Sequence, residues 1–198
     1  MTSVAKFFAL TITLVAFAAC APTPGPVGIQ GLVEADPAVE TLAERAENGD
    51  PTAQRQLADR YYQGVDNVAF ENFDRAAYWY AEAANQGDLK SQRMMGTLYR
   101  EGHGVDQDLA EAYTWYRRAA EQGDPVGQYW TGVALAEWDN AIDTDPVAAF
   151  TWLELASQSY DAIAGRAAEA RDRLADDLDA QDLTWARLMV REFSPTTS

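Results

Sequence analysis

A Gly-Asp pair opens three segments of this chain, ENGDPTAQRQLADRYYQG (47–64), NQGDLKSQRMMGTLYREG (85–102) and EQGDPVGQYWTGVALAEW (121–138). In each, a glutamine (Gln54, Gln92, Gln128) follows the Asp by four residues. A second unit comes after each segment: RAAYWYAEAANQG, EAYTWYRRAAEQG and AAFTWLELASQSY. Gly49, Gly87 and Gly123 stand 38 and 36 residues apart, and Trp79, Trp115 and Trp152 stand 36 and 37 apart. A period of this length, built from two helix-sized units, buries its apolar faces only by stacking copy on copy, which predicts a two-helix solenoid.

The second units explain their own helicity. Ala76, Trp79, Tyr80, Ala83 and Ala84 fall at i, i+3, i+4, i+7 and i+8 and form one apolar stripe. The stripe recurs as Ala112, Trp115, Tyr116, Ala119 and Ala120, then as Ala149, Trp152, Leu153 and Ala156. A buried tryptophan removes roughly 200 Å² from water, about 4–5 kcal/mol, so these three indoles are expected in the core. Trp130 and Trp138 stand outside the stripe. In the first units, Ala53, Leu57, Ala58 and Tyr61 share a face, as do Ser91, Met95, Gly96 and Tyr99. Gly96 and Gly132 each cost a helix about 1 kcal/mol relative to Ala, so close helix approach is expected there. Asp88, Asp124 and Asp145 are expected to cap the helices after them. Asp108 with Glu111 reads as a capping box, and Gly87 and Gly123 as helix stops.

The ends differ from the repeats. Residues 37–48 follow Asp36, begin with Pro37 and carry Val39, Leu42, Ala43 and Ala46 on one face, which fits a helix covering the first repeat. Helices are expected over 164–178 and 179–193, with Leu174, Leu178, Leu183, Trp185 and Leu188 as their apolar contacts.

The pattern Gly-Asp, Ala/Ser-Gln, Leu/Met-Gly, Tyr, Gly-x-Gly-Val, Asp, Ala-x-x-Trp-Tyr, Ala-Ala resembles the Sel-one-like repeat, a relative of the tetratricopeptide repeat. The copy from Gly87 to Gln122 follows it most fully. The first copy has a longer loop, GVDNVAFEN, and the third has WDNAIDTD in its place. The resemblance implies an all-α, right-handed α-solenoid with helical caps. Its expected parts are a first helix at 37–48, repeats at 49–86, 87–122 and 123–159, and a cap at 161–193 within a domain spanning 36–193, followed by a tail at 194–198.

Ahead of the repeats, MTSVAKFFALTITLVAFAAC places Lys6 before an apolar run too short for a permanent membrane span, then small residues. It reads as a signal segment, 1–19. Cys20 is the only cysteine, so no disulfide forms within the chain. The segment resembles the lipobox of bacterial lipoproteins, in which such a cysteine is acylated. Phe17 stands where that pattern carries an aliphatic residue, and Ala16-Phe17-Ala18 offers a site for an ordinary signal peptidase, which would leave the product soluble in the periplasm. Residues 20–35 are rich in Pro and Gly and read as a flexible tether. The resemblance implies a bacterial envelope location, with Ala21 favouring the outer membrane, and a membrane contact only through a lipid on Cys20.

The formal net charge is −16, and loss of Lys6 leaves 14 basic against 31 acidic residues, or −17. Such a surface repels phosphates, which argues against nucleic acid as a partner. His103, the only histidine, lies between Gly102 and Gly104 and reads as part of a turn, with Val105 entering the core. No set of three or four metal ligands gathers around it. The run Asp139 to Asp145 lacks the glycine and terminal glutamate of a calcium loop and reads as turns and caps. No nucleophile stands beside a base, and no glycine-rich phosphate loop is followed by Lys. Some cysteine-rich members of the repeat family have been regarded as acting on β-lactams, but their paired cysteines are absent here.

The chain therefore reads as a non-catalytic scaffold, without cofactor, that binds another envelope protein or a peptide on the concave side lined by first helices. The face opposite the core carries Arg55, Gln56, Asp59 and Tyr62, then Arg93, Met94, Thr97 and Arg100, then Tyr129, Trp130 and Val133. Arg, Tyr, Trp and Met are enriched at interface centres. The alternatives are an envelope hydrolase acting on cell-wall peptide or β-lactam, and a self-associating assembly factor.

Overall fold

A computed structural model of the chain describes residues 37–64, 72–138 and 140–193. The signal segment, Cys20 and the tether lie outside these residues. Nine α-helices and no strand occur among the described residues: α1 (Pro37–Glu47), α2 (Pro51–Gln63), α3 (Phe73–Asn85), α4 (Leu89–Glu101), α5 (Leu109–Glu121), α6 (Pro125–Glu137), α7 (Pro146–Ser157), α8 (Ile163–Ala175) and α9 (Ala180–Phe193). The helices α2/α3, α4/α5 and α6/α7 form hairpins, and each hairpin packs its second helix on the first helix of the next. The result is an all-α solenoid.

Local chemistry sets the helix ends. Asp50, Asp88, Asp124 and Asp145 accept backbone N–H bonds at the starts of α2, α4, α6 and α7. Asp108 accepts from the N–H groups of Ala110 and Glu111 at the start of α5. The expected capping box is only half formed, because the Asp108 N–H donates to the Tyr99 carbonyl at 2.9 Å, leaving Glu111 nothing to return.

Small residues let the helices close up. A Cβ built on Gly96 would lie 2.7 Å from the Tyr116 ring, and one on Gly132 would lie 2.7 Å from Leu153 Cγ. These glycines give up helix propensity for packing. Gly127 does the same against the backbone of Tyr116 and Ala120. One core cluster runs from Leu42 through Tyr61 and Tyr80 to Trp115, and smaller ones surround Leu153 and Trp152. Trp115 and Trp152 are buried, whereas Trp79 is partly buried at the rim of the first cluster.

The C-terminal end departs from the expected contacts. α9 packs on α7: Phe193 meets the Trp152 ring at 5.1 Å, and Thr151 Oγ1 donates to the Ala186 carbonyl at 3.4 Å. α7 accepts this helix because Ala148 and Leu155 stand where α5 carries the exposed charges Glu111 and Arg118. Ala186 and Val190 are the buried residues of α9, so Trp185 and Leu188 are left 61% and 44% exposed rather than acting as cap contacts. Among the described residues, no helix is long and apolar enough to cross a membrane.

Candidate partner-binding face

Two polar ladders tie α2 and α4 to the elements on either side of them. Gln54 Nε2 donates to the Ala46 carbonyl at 3.1 Å while its Oε1 accepts from Gln86 at 2.7 Å. One repeat on, Gln92 donates to the Ala84 carbonyl at 3.2 Å and accepts from Gln122 at 2.6 Å. In the first two copies the glutamine after the Gly-Asp pair thus adds a bond to a helix-end carbonyl across the repeat junction, which Gln128 in the third copy does not. The ladder stops in the third copy, where Gln158 donates to Glu154 instead.

The second ladder is ionic. Arg55 Nε lies 3.4 Å from Asp88 Oδ2, and Arg93 Nη1 lies 3.2 Å from Asp124 Oδ1. Each aspartate thus caps its own helix and holds an arginine from the repeat before. Sequence reading found only the cap. The missing signal was the arginine five residues after the Gly-Asp aspartate in both copies, Asp50 to Arg55 and Asp88 to Arg93.

Hydroxyls from the second helices reach the same face. Tyr80 donates to Asp59 Oδ1 at 2.6 Å. Burial, reinforced by that carboxylate, holds the Tyr80 hydroxyl far above the ordinary phenol range. Tyr116 meets Thr97 Oγ1 at 3.1 Å and accepts from Arg100 Nε at 3.3 Å. Thr97 itself donates to the Arg93 carbonyl at 3.3 Å. In the Tyr116–Thr97 pair either oxygen can be the donor, whereas Arg100 can only donate to the Tyr116 hydroxyl. The sequence pattern places Tyr80 and Tyr116 in the core stripe, and their hydroxyls reach beyond it to this face.

Trp130 completes this part of the face. Its ring stacks on Tyr116 at 5.9 Å, meets Tyr129 edge-on at 5.1 Å, and lies under the Arg100 guanidinium at 4.0 Å. Met94 packs partly buried against the first core cluster, and Tyr62 meets Phe73 and Tyr80 edge-on. Gln56 is exposed.

Tyr129 and Val133 do not share the open face expected for them. Both are 8% exposed and pack with Ala167 and Ala170 of α8, whose small side chains let that helix close over α6. Arg166 from α8 also lies over the Tyr129 ring at 5.2 Å. The open part of the third copy is reduced to the region of Trp130.

His103 occupies the α4–α5 turn, flanked by Gly102 and Gly104 at φ 72° and 70°. Its ring stacks on Phe73 of the preceding repeat at 4.5 Å and 11°. Val105 packs against the core cluster. Among the described residues, no group of three or more His, Cys, Asp or Glu side chains is placed to hold a metal ion.

A family model described as Sel1 repeat matches residues 51–88, 89–124 and 125–161, and the chain belongs to the Sel1 repeat family. Proteins of these repeats generally mediate protein–protein interaction. The chain is similar in structure to a protective antigen present in uropathogenic Escherichia coli strains that displays an SLR fold, with a TM-score of 0.68 and 29% identity over 79% of this chain. It spans 32% of that antigen's length. It is also similar to a Sel1 repeat protein from Oxalobacter formigenes, with a TM-score of 0.57 and 33% identity over 70% of this chain and 98% of the other.

Proposed function

We propose that this chain is a non-catalytic scaffold of the bacterial envelope, anchored through a lipid on Cys20, that holds a partner protein or peptide on the concave face formed by α2, α4 and α6. The observation that carries this reading is the Arg100, Tyr116 and Trp130 cluster. Three half-buried or buried side chains from two repeats are fixed in place by one another, beside Met94 and Thr97. Side chains already immobilised lose little entropy when a ligand settles on them, which is the property of an interface centre. Family membership supports the binding role, and the signal-like first residues support the location.

Two experiments test it. A photo-crosslinking amino acid at Gln56 or Met94 is expected to trap a defined adduct in native envelopes, while the same group at Thr114, on the exposed side of α5, traps none. Equal adducts at all three positions, or none at Gln56 and Met94, refute the face. Metabolic labelling with a fatty acid is expected to mark the chain and to be lost in Cys20→Ser; an unlabelled wild-type chain refutes the anchor.

A further inference from the structure

Among the described residues, nothing packs on one side of α9. Its buried residues, Ala186 and Val190, face α7, while Trp185 and Leu188, three residues apart on another side of the helix, are 61% and 44% exposed. The turn before it is acidic. Asp176, Asp177 and Asp179 are exposed, Asp179 caps α9 through the N–H groups of Gln181 and Asp182, and Asp182 lies one turn before Trp185. Among the described residues, none of these four carboxylates forms an ion pair, whereas their neighbour Asp172 is taken by Arg171. Arg187 and Arg191 are exposed further along α9, on the flank of Leu188 away from Asp182.

We propose that the exposed side of α9 and the α8–α9 turn form a second docking surface, for a basic amphipathic segment of a partner protein. One apolar residue of the segment seats against Trp185 and Leu188, and its Lys or Arg residues face Asp176, Asp177, Asp179 and Asp182. Charge decides the occupant. A second copy of this chain would bring the same unpaired carboxylates and a net charge of −16 to the contact. Two apolar side chains also fall well short of the roughly 800 Å² per partner that a stable dimer buries. A cationic segment gains from both parts of the surface. This site stands apart from the α2/α4/α6 face, at the end of the stack, and does not depend on it.

The test uses a fluorescein-labelled amphipathic helix of leucine and lysine, with a leucine and glutamate version as control, titrated against the full chain. The lysine peptide is expected to bind. Trp185→Ala and Leu188→Ser, both at exposed positions, are each expected to weaken it by about tenfold or more with helicity unchanged. Asp176→Asn, Asp177→Asn and Asp182→Asn together are expected to weaken it and flatten its salt dependence. Glu44→Gln with Glu47→Gln, exposed on α1 at the other end, is expected to leave it unaltered. Wild-type affinity in the Trp185 and Leu188 variants, equal loss in the α1 variant, or equal binding of the glutamate peptide overturns the proposal. So does Trp185-dependent binding to neutral phosphatidylcholine vesicles without affinity for the peptide, which assigns the surface to a membrane.

Discussion

The guanidinium of Arg100 lies over the indole of Trp130, 4.0 Å from the ring centroid, although the two residues belong to successive repeats. The contact is both packing and charge. Trp130→Ala is therefore expected to lower stability by about 1–3 kcal/mol while helicity is retained, because Tyr116 and Arg100 lose a common neighbour. A view of Trp130 as a free surface residue predicts no change in melting. In a double-mutant cycle with Arg100→Ala, measured by urea unfolding, the coupling is expected to be about 0.5–1 kcal/mol. A coupling near zero means that the stack does not persist in solution.

Gln92 carries the junction between the first two hairpins. Gln92→Ala removes the bonds to the Ala84 carbonyl and from the Gln122 amide, although the carbonyl keeps its bond from the Gly87 N–H and the amide its bond to the Gly87 carbonyl. Each lost bond costs about 0.5–1.5 kcal/mol. Thermal unfolding followed by circular dichroism is expected to show this loss for Gln92→Ala and a smaller one for Gln128→Ala, whose copy lacks the inter-glutamine bond.

These two cases mark what was legible in the sequence. Helix positions, caps and close-approach glycines follow from short-range rules: Asp88 as a cap and Gly96 against a ring are statements about one turn and one stripe. The Gln and Arg–Asp ladders join residues 30 to 33 apart in the sequence, which no local rule connects, so the recurrence of Gln54 and Gln92 is visible but its cause is not. A helical wheel of the first helices alone puts Tyr129 and Val133 outside the core, because α8, which closes over them, is no part of that wheel. For the same reason the apolar residues of α9 read as packing contacts, whereas Trp185 and Leu188 face away from α7.

Gly96→Ala pits two effects of opposite sign. Alanine favours the helix by about 1 kcal/mol. Its methyl, however, would enter the Tyr116 ring at 2.7–2.8 Å, and that ring is held by Thr97, Arg100 and Trp130. Overpacking against a fixed side chain costs about 1–3 kcal/mol, so a net destabilisation is expected in urea unfolding. A stabilised variant would show that Tyr116 moves freely.

Alkaline pH provides a probe of the buried hydroxyls. Burial raises both Tyr80 and Tyr116; the Asp59 carboxylate adds to the shift at Tyr80, while Thr97 and Arg100 only partly oppose it at Tyr116. A phenol whose folded value lies above its unfolded value, about 10, stabilises the fold fully below that value. The contribution is lost as pH rises from about 10 toward the folded value. Stability is expected to decline above about pH 10, and ultraviolet titration is expected to show two tyrosines that ionise only with unfolding. Tyr80→Phe is expected to remove one of them. Full titration of all tyrosines in a helical chain contradicts the burial.

Gly104 separates backbone strain from contact. It adopts φ 70°, and a Cβ there would fall 2.1 Å from the Phe73 carbonyl oxygen. Gly49 adopts φ 88° with nothing within 4 Å of the same position. Alanine at Gly49 meets only the left-handed penalty, about 1–2 kcal/mol. At Gly104 it meets that penalty and must also push the turn off Phe73, carrying the His103 ring out of its stack. Urea midpoints are expected to fall for both variants and clearly further for Gly104→Ala, which should lose histidine–phenylalanine nuclear Overhauser contacts that Gly49→Ala keeps. Equal midpoints and intact contacts would mean that the α4–α5 turn yields without cost and does not clamp the first repeat to the second.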